Sequence, residues 1–310
     1  MQTVSAWIDA RHPWVNRKMW GLTLLERNIR ELARLGVEKI YIATSQRLNP
    51  LRHLNYSLPK SATVETVIVS EHDPFAPLRV LLQQADAAVL LLQGHALNDR
   101  RILRRLLALD MDVVLVSAVG QNPGVAARVS SQSLPVFQEL HTHDLAQLLR
   151  QAMDKHMILQ KNSNSLNPYI ANLRREVQPF ILKIESNAQY REAKSVLEQT
   201  AHKGVNDFVA KFIHPPLEFG LARALVPMKV SPNQVTIFWL LLAAVATVLF
   251  LRGQILAGSL LAALSGILDG VDGKLARLTL RYSHAGDLLD HVGNTIFDAI
   301  WYLAMGWYFS

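Results

Sequence analysis

After Pro232 the chain holds three apolar runs, Val235 to Leu251, Ile255 to Leu268 and Leu288 to Phe309, and they limit the fold more than any other feature. The hydrocarbon core of a bilayer is about 30 Å thick and takes roughly 20 helical residues to cross. The first two runs are slightly short, but the small residues of the second and the flanking Ser231 to Gln234 allow thinning or burial against neighbours. Buried helices of a soluble core are the plainer alternative. Three such runs so close together favour an α-helical membrane domain with three spans. Lys229 precedes the first run, and Lys274, Arg277 and Arg281 lie between the second and third, against Arg252 alone between the first and second. Positive charge marks the cytoplasmic side, so the N-terminal domain and the loop 271 to 284 are expected in the cytoplasm. Pro215-Pro216 to Lys229, with apolar residues interleaved around Arg223, reads as a helix lying at the interface.

Five aspartates, Asp269, Asp272, Asp287, Asp290 and Asp298, fall within or beside these runs. An ionised carboxylate in a span costs about 2.5 kcal/mol or more unless it is paired or metal-bound. Asp269 and Asp272 share a helix face. A helical turn also aligns Asp287, Asp290, His291, Asn294 and Asp298 into one polar stripe. Two carboxylate-bearing helices near the interface would form an oxygen-rich pocket for hard divalent cations, Mg²⁺ or Mn²⁺. Paired metals suit phosphoryl transfer. Gly270 and Gly273 let a ligand approach the backbone, and Lys274 and Arg277 can neutralise phosphate. A cation pathway and a polar helix-packing network are the alternatives to this reading.

The rest of the chain has another character. A length of 310 residues suits about two domains, and 50% hydrophobic with 18% charged residues excludes general disorder. The absence of cysteine excludes disulfides and thiol chemistry. Residues 1 to 200 carry 24 basic and 18 acidic side chains, yet no Lys/Arg run is dense enough to mark a nucleic-acid surface, and nucleic acid is not expected as a partner. The segment Met1 to Asp9 lacks the layout of a secretion signal.

Apolar runs at Val37 to Ala43, Val64 to Val69, Ala87 to Leu92 and Val113 to Val116 predict strands buried on both faces. Leu24 to Leu35, Pro77 to Gln84 and Asp99 to Leu109 predict helices, with Gly36 stopping the first and Asn98 capping the last. The pattern is that of an α/β three-layer sandwich with a mostly parallel sheet. Asn162-Ser163-Asn164-Ser165 reads as a linker, giving an α/β domain over 1–160, a helical linker over 161–204 and a membrane domain over 205–310.

Asp269-Gly-Val-Asp272-Gly273-Lys-Leu-Ala276-Arg277, followed after eight residues by Gly286 and after three more by Asp290, resembles the signature D-x-x-D-G-x-x-A-R-x8-G-x3-D-x3-D of the CDP-alcohol phosphatidyltransferase superfamily. Ser231 to Thr236 is similar to the segment that opens that family's first transmembrane helix. The resemblance implies an integral-membrane enzyme that displaces CMP from a CDP-alcohol donor by attack of an acceptor hydroxyl, in phospholipid or related polar-lipid synthesis. It implies that Asp269, Asp272 and Asp290 ligate the metals. Gly273, Ala276 and Arg277 would then line the CDP site, with Asn233 and Thr236 toward the cytidine.

Two departures matter. The last signature position, where the family has a metal-ligating aspartate thought to act as general base, is Asn294 here. An amide oxygen can coordinate a cation but cannot accept a proton, so either activity is lost or Asp298, Asp287 or His291 substitutes. The family encloses its site in six spans and only three are expected here, which calls for a second copy or a complementing subunit, or implies a truncated or decayed chain.

Gly21 to Val37 followed by Ile40-Tyr-Ile-Ala, and Ala87 to Gly94 followed by a helix, look like elements of sugar-nucleotidyltransferase-like domains. The family's metal-binding aspartate just after that glycine is His95 here. Ala10-Arg11-His12-Pro13-Trp14-Val15-Asn16-Arg17-Lys18 also lacks the glycines of a phosphate loop, so the domain is expected to be degenerate. The domain order resembles bifunctional inositol-phosphate cytidylyltransferase/di-inositol-phosphate phosphate synthases. His141 and His143 read as a solvated turn, and Trp7, Trp14 and Trp20 as packing residues.

Overall fold

The structure is a computed structural model that describes residues 4–45, 62–84, 87–140, 142–204 and 208–309. The chain divides into two compact units, Met1–Ala171 with Glu176–Val196, and Asn172–Arg175 with Leu197–Ser310.

The first unit is built on seven strands: β1 (Ser5–Asp9), β2 (Lys39–Thr44), β3 (Thr63–Ile68), β4 (Val89–Gln93), β5 (Val113–Val116), β6 (Val125–Val129) and β7 (Leu159–Asn162). Their order in the sheet is β7-β5-β6-β4-β1-β2-β3. All neighbours run parallel except at β6, which is antiparallel to both β4 and β5. Every residue of β4 is buried, because helices cover both faces of a parallel sheet. The alternation along each strand sorts side chains between the two layers. Ile8, Leu90 and Leu92 meet Ile29 and Leu32 of α1 (Leu24–Arg34) on one face, and Ile102, Leu103 and Leu106 come from an equivalent position. Trp7, Val89 and Leu91 point the other way, toward Leu78 and Leu82 of α2 (Ala76–Gln84). The helix α3 (Arg100–Ala108) supplies the former trio, while α4 (Leu134–Glu139) and α5 (Leu145–Asp154) join α2 on the second face. The three-layer α/β expectation is met.

Details differ. Asp99, not Asn98, caps α3, its carboxylate accepting the Arg101 amide at 2.8 Å. Asn98 is instead in a short strand, and its side chain donates to Asn28 Oδ1 at 2.9 Å. The expected linker at Asn162 to Ser165 is structural: β7 ends at Asn162, and the fully buried Ser163 hydroxyl accepts the Ala118 amide at 3.0 Å. Nor is 161–204 a helical linker. Ile181–Lys183 pairs antiparallel with Ala96–Asn98, and the only α-helix among its described residues is α6 (Asn187–Gln199).

The second unit contains α7 (His214–Leu225), α8 (Pro232–Leu251), α9 (Ile255–Thr279) and α10 (His284–Phe309). A capping box opens α8: the Ser231 hydroxyl accepts the Gln234 amide at 3.2 Å, and the Gln234 side chain accepts the Ser231 amide at 2.8 Å. Leu280 in the left-handed region ends α9. This helix runs eleven residues past the apolar stretch and carries Asp269 to Arg277, the first part of the signature, while Gly286, Asp290 and Asn294 fall in α10.

Both α8 and α9 are long and apolar enough to cross a membrane, yet only 33% and 28% of their most apolar windows are buried. A core helix of a soluble protein would be mostly covered, whereas here Ile237, Leu241, Val248, Leu256 and Leu260 point outward. The third expected span is a helix of 26 residues; among the described residues two helices are long and apolar enough to cross a membrane, and this one, with its polar stripe, is not among them. Small residues permit close approach of these helices. A Cβ on Gly258 would lie 2.7 Å from the Phe250 ring, and one on Gly293 would lie 2.8 Å from Trp239.

Candidate active site

One face of α9 carries the chemistry. Asp272 is 5% exposed, and its Oδ2 accepts two hydrogen bonds from α8, from the Thr236 hydroxyl at 2.6 Å and the Trp239 indole at 3.1 Å. Both donors are neutral, so they orient the carboxylate without cancelling its charge. Three residues earlier, Asp269 is half-buried and its Oδ1 accepts the Asn294 amide of α10 at 2.9 Å. Three helices thus meet around two carboxylates.

Gly273 makes room for the next turn of its own helix. A Cβ there would lie 3.0 Å from the Arg277 guanidinium, whose Nε donates to the Ala201 carbonyl at 2.8 Å. Ala276 is half-buried beside it. The Asn233 carbonyl oxygen accepts the Ser283 hydroxyl at 2.9 Å, and that hydroxyl in turn accepts the Gly286 amide, tying the start of α8 to that of α10. A Cβ on Gly286 would press on the Asn233 and Ser283 side chains and displace that contact.

Of the residues singled out from sequence, Asp269, Asp272, Gly273, Arg277, Thr236 and Asn294 lie on this one assembly. Thr236 was expected toward the cytidine, but its hydroxyl bonds Asp272 instead. Lys274 was expected to neutralise phosphate, but it is 4% exposed and forms an ion pair with the buried Glu218 of α7, which also lies over Gly270. The side chains of Asp287, Asp290 and Asp298 lie outside the described residues. His291 is exposed, as is His143, and His141 is outside the described residues. Trp7 and Trp20 are buried and Trp14 is half-buried, in keeping with packing roles. Sequence reasoning missed Trp239 and Glu218. Trp239 stands seven residues before Ala246 on an apolar helix, with nothing to distinguish it from a packing residue. Glu218 had a signal that was passed over: it is the one acid between Lys211 and Lys229.

Two carboxylates on one face of α9, one of them deeply buried among uncharged donors, fit hard divalent cations. Residues 229–309 match the CDP-alcohol phosphatidyltransferase family. That segment is a CDP-alcohol phosphatidyltransferase domain.

The domain is similar to curated proteins. "Bifunctional IPC transferase and DIPP synthase" of Thermococcus kodakarensis is 36% identical over 35% of this chain and 25% of its own length. The protein of the same name from Archaeoglobus fulgidus is 33% identical over 36% of this chain and 22% of its own length. "Archaetidylinositol phosphate synthase" of Pyrococcus horikoshii is 39% identical over 28% of this chain and 46% of its own length. The chain thus spans about a quarter of the first two relatives. A nucleotidyl transferase structure from Methanothermobacter thermautotroptrophicus aligns with 64% of this chain and 99% of its own at 15% identity and a TM-score of 0.46.

Proposed function

We propose that the chain is an integral-membrane CDP-alcohol phosphotransferase of polar-lipid synthesis, with its N-terminal unit in the cytoplasm. It would move a phosphoalcohol group from a CDP-alcohol to an acceptor hydroxyl and release CMP. The observation that carries this reading is the pair Asp269 and Asp272, held on one face of α9 by Thr236, Trp239 and Asn294. Asp269, Asp272 and Asp290 would hold Mg²⁺ or Mn²⁺. When bound, such cations would supply positive charge against the diphosphate oxygens and the departing CMP.

The chain's own groups do the rest. Thr236 and Trp239 fix the direction of Asp272 so that little reorganisation is needed when substrate arrives. Gly273 and Ala276 would line the CDP site once the Arg277 guanidinium, which lies over Gly273 and bonds the Ala201 carbonyl, turns to the phosphates. The acceptor oxygen attacks the phosphorus distal to cytidine, that phosphorus loses its bond to CMP, and the acceptor's proton must go to a base. Asn294 cannot take it. The titratable groups at the same helical spacing on α10 are Asp287, His291 and Asp298.

A second reading rests on Asn294 as well. Its amide donates to Asp269, so a neutral group engages an oxygen that a cation needs, as in a silent or regulatory relative that binds CDP-alcohol without turnover. Asn294→Asp separates the two. A rise in CMP release of roughly tenfold or more fits a weakened enzyme. No gain, alongside retained nucleotide binding, fits the silent protein.

A further inference from the structure

The first unit contains a second constellation, away from the sequence signature. We propose that His12, His95 and Glu185 form a binding site for one borderline divalent cation of the zinc class.

The fold brings them together from three places. His12 follows β1 and caps the turn Pro13–Asn16, and His95 follows β4, the parallel neighbour of β1. Both stand beyond the C-terminal edge of the sheet, where open α/β sheets place their ligands. Glu185 comes from the segment after Ile181–Lys183, which the antiparallel pairing with Ala96–Asn98 anchors beside His95. The Ile184 amide donates to the His95 carbonyl at 3.1 Å. The two imidazoles stack with centroids 4.3 Å apart. Glu185 Oε1 lies 3.7 Å from His95 Nε2 and 4.0 Å from His12 Nε2, and the three ligand atoms lie within 4.8 Å of one another. Donors around a tetrahedral ion with bonds near 2.0–2.1 Å stand about 3.3 Å apart, so small side-chain rotations complete the shell.

His95 carries the argument. It is 6% exposed, and neither ring nitrogen has a hydrogen-bond partner. Buried polar nitrogens are seldom left so, and a nitrogen aimed at two other donors marks a missing ligand. Two imidazoles and one carboxylate favour zinc over magnesium, which prefers an oxygen shell. The hard-cation site that the nucleotidyltransferase resemblance implies therefore does not fit these residues. His12 and Glu185 are each about a third exposed, which leaves a fourth position facing solvent.

Binding has two local costs. The weak 3.3 Å contact from the Trp14 amide to His12 Nδ1 is exchanged for the metal bond at Nε2, because Nδ1 must then carry the proton. Lys183 Nζ stands 2.8 Å from Glu185 Oε1 and competes with the cation, while Asn122 steadies Oε2 from 3.1 Å.

The test uses the full chain in detergent, stripped by chelator and held in excess Mg²⁺ so that oxygen-only sites are filled, then titrated with Co²⁺ and Zn²⁺. The expected result is about one equivalent bound, with the strong visible absorption of four-coordinate Co²⁺. His12→Ala and His95→Gln should each weaken binding by roughly tenfold or more, and Lys183→Met should tighten it. His12 is partly exposed, so its variant keeps the fold and decides the matter if His95→Gln does not. Absence of saturable binding, or binding unchanged in the His12 variant, overturns the proposal.

Discussion

The residue that most repays attention in the second unit is Glu218, which reaches Lys274 across 56 positions of sequence. Both are almost fully buried, so removing one partner strands a charge. Glu218→Gln or Lys274→Met alone should cost about 3–5 kcal/mol, and the double variant should recover most of it. Unfolding of the single and double variants in detergent checks this. Thr236→Val should lower stability by about 1–3 kcal/mol, since Asp272 loses its closest donor. In the first unit, burial raises Glu31 above its ordinary 4.5, although Arg100, Arg27 and Arg34 partly offset it. The unfolded chain then gives up the proton first, so stability falls as pH rises from 4.5 through the folded value. Glu31→Gln should therefore be more stable than the parent at pH 7, with the two melting temperatures converging near pH 4. At this scale the sequence was legible where spacing is local. Asp269, Asp272, Gly273 and Arg277 follow from one helical repeat, whereas the partners Trp239 and Glu218 arrive from other helices and leave no periodic trace.

Among the elements, those with unbroken apolar runs were readable. Val113–Val116 is a strand as expected, and Val89–Gln93 starts two residues and ends one residue later than expected. β6 escaped notice because Arg128 interrupts it, a side chain that is nonetheless buried with one guanidinium nitrogen 3.2 Å from the Met111 carbonyl. β7 escaped because Leu-Gln-Lys-Asn at a sheet edge is largely exposed and polar, which edge strands allow. The capping box on α8 makes a direct prediction. Ser231→Ala should cost about 1 kcal/mol of stability and, by loosening the first turn, slacken the hold of Thr236 on Asp272. Gly258→Leu should be worse, because its side chain would enter the space of the Phe250 ring and push α9 from α8. Thermal melts of the two variants should rank in that order.

For the whole chain, an α/β unit and an apolar helical unit follow each other in one sequence, and the division was visible in composition alone. The boundary was not. Polar residues at 162–165 resembled a linker only because a buried hydroxyl such as Ser163 cannot be told from an exposed one by type. The outward apolar faces of α8 and α9 predict that the protein stays with membranes after alkaline carbonate washing and needs detergent for release. The most direct test of the central claim is CMP release by the purified full chain from a broad panel of CDP-alcohols and hydroxyl acceptors, with and without Mg²⁺ or Mn²⁺. The account expects divalent-dependent release that falls by roughly 100-fold or more in Asp269→Asn and Asp272→Asn. Absence of release from every donor, by the parent chain and by Asn294→Asp alike, would contradict it.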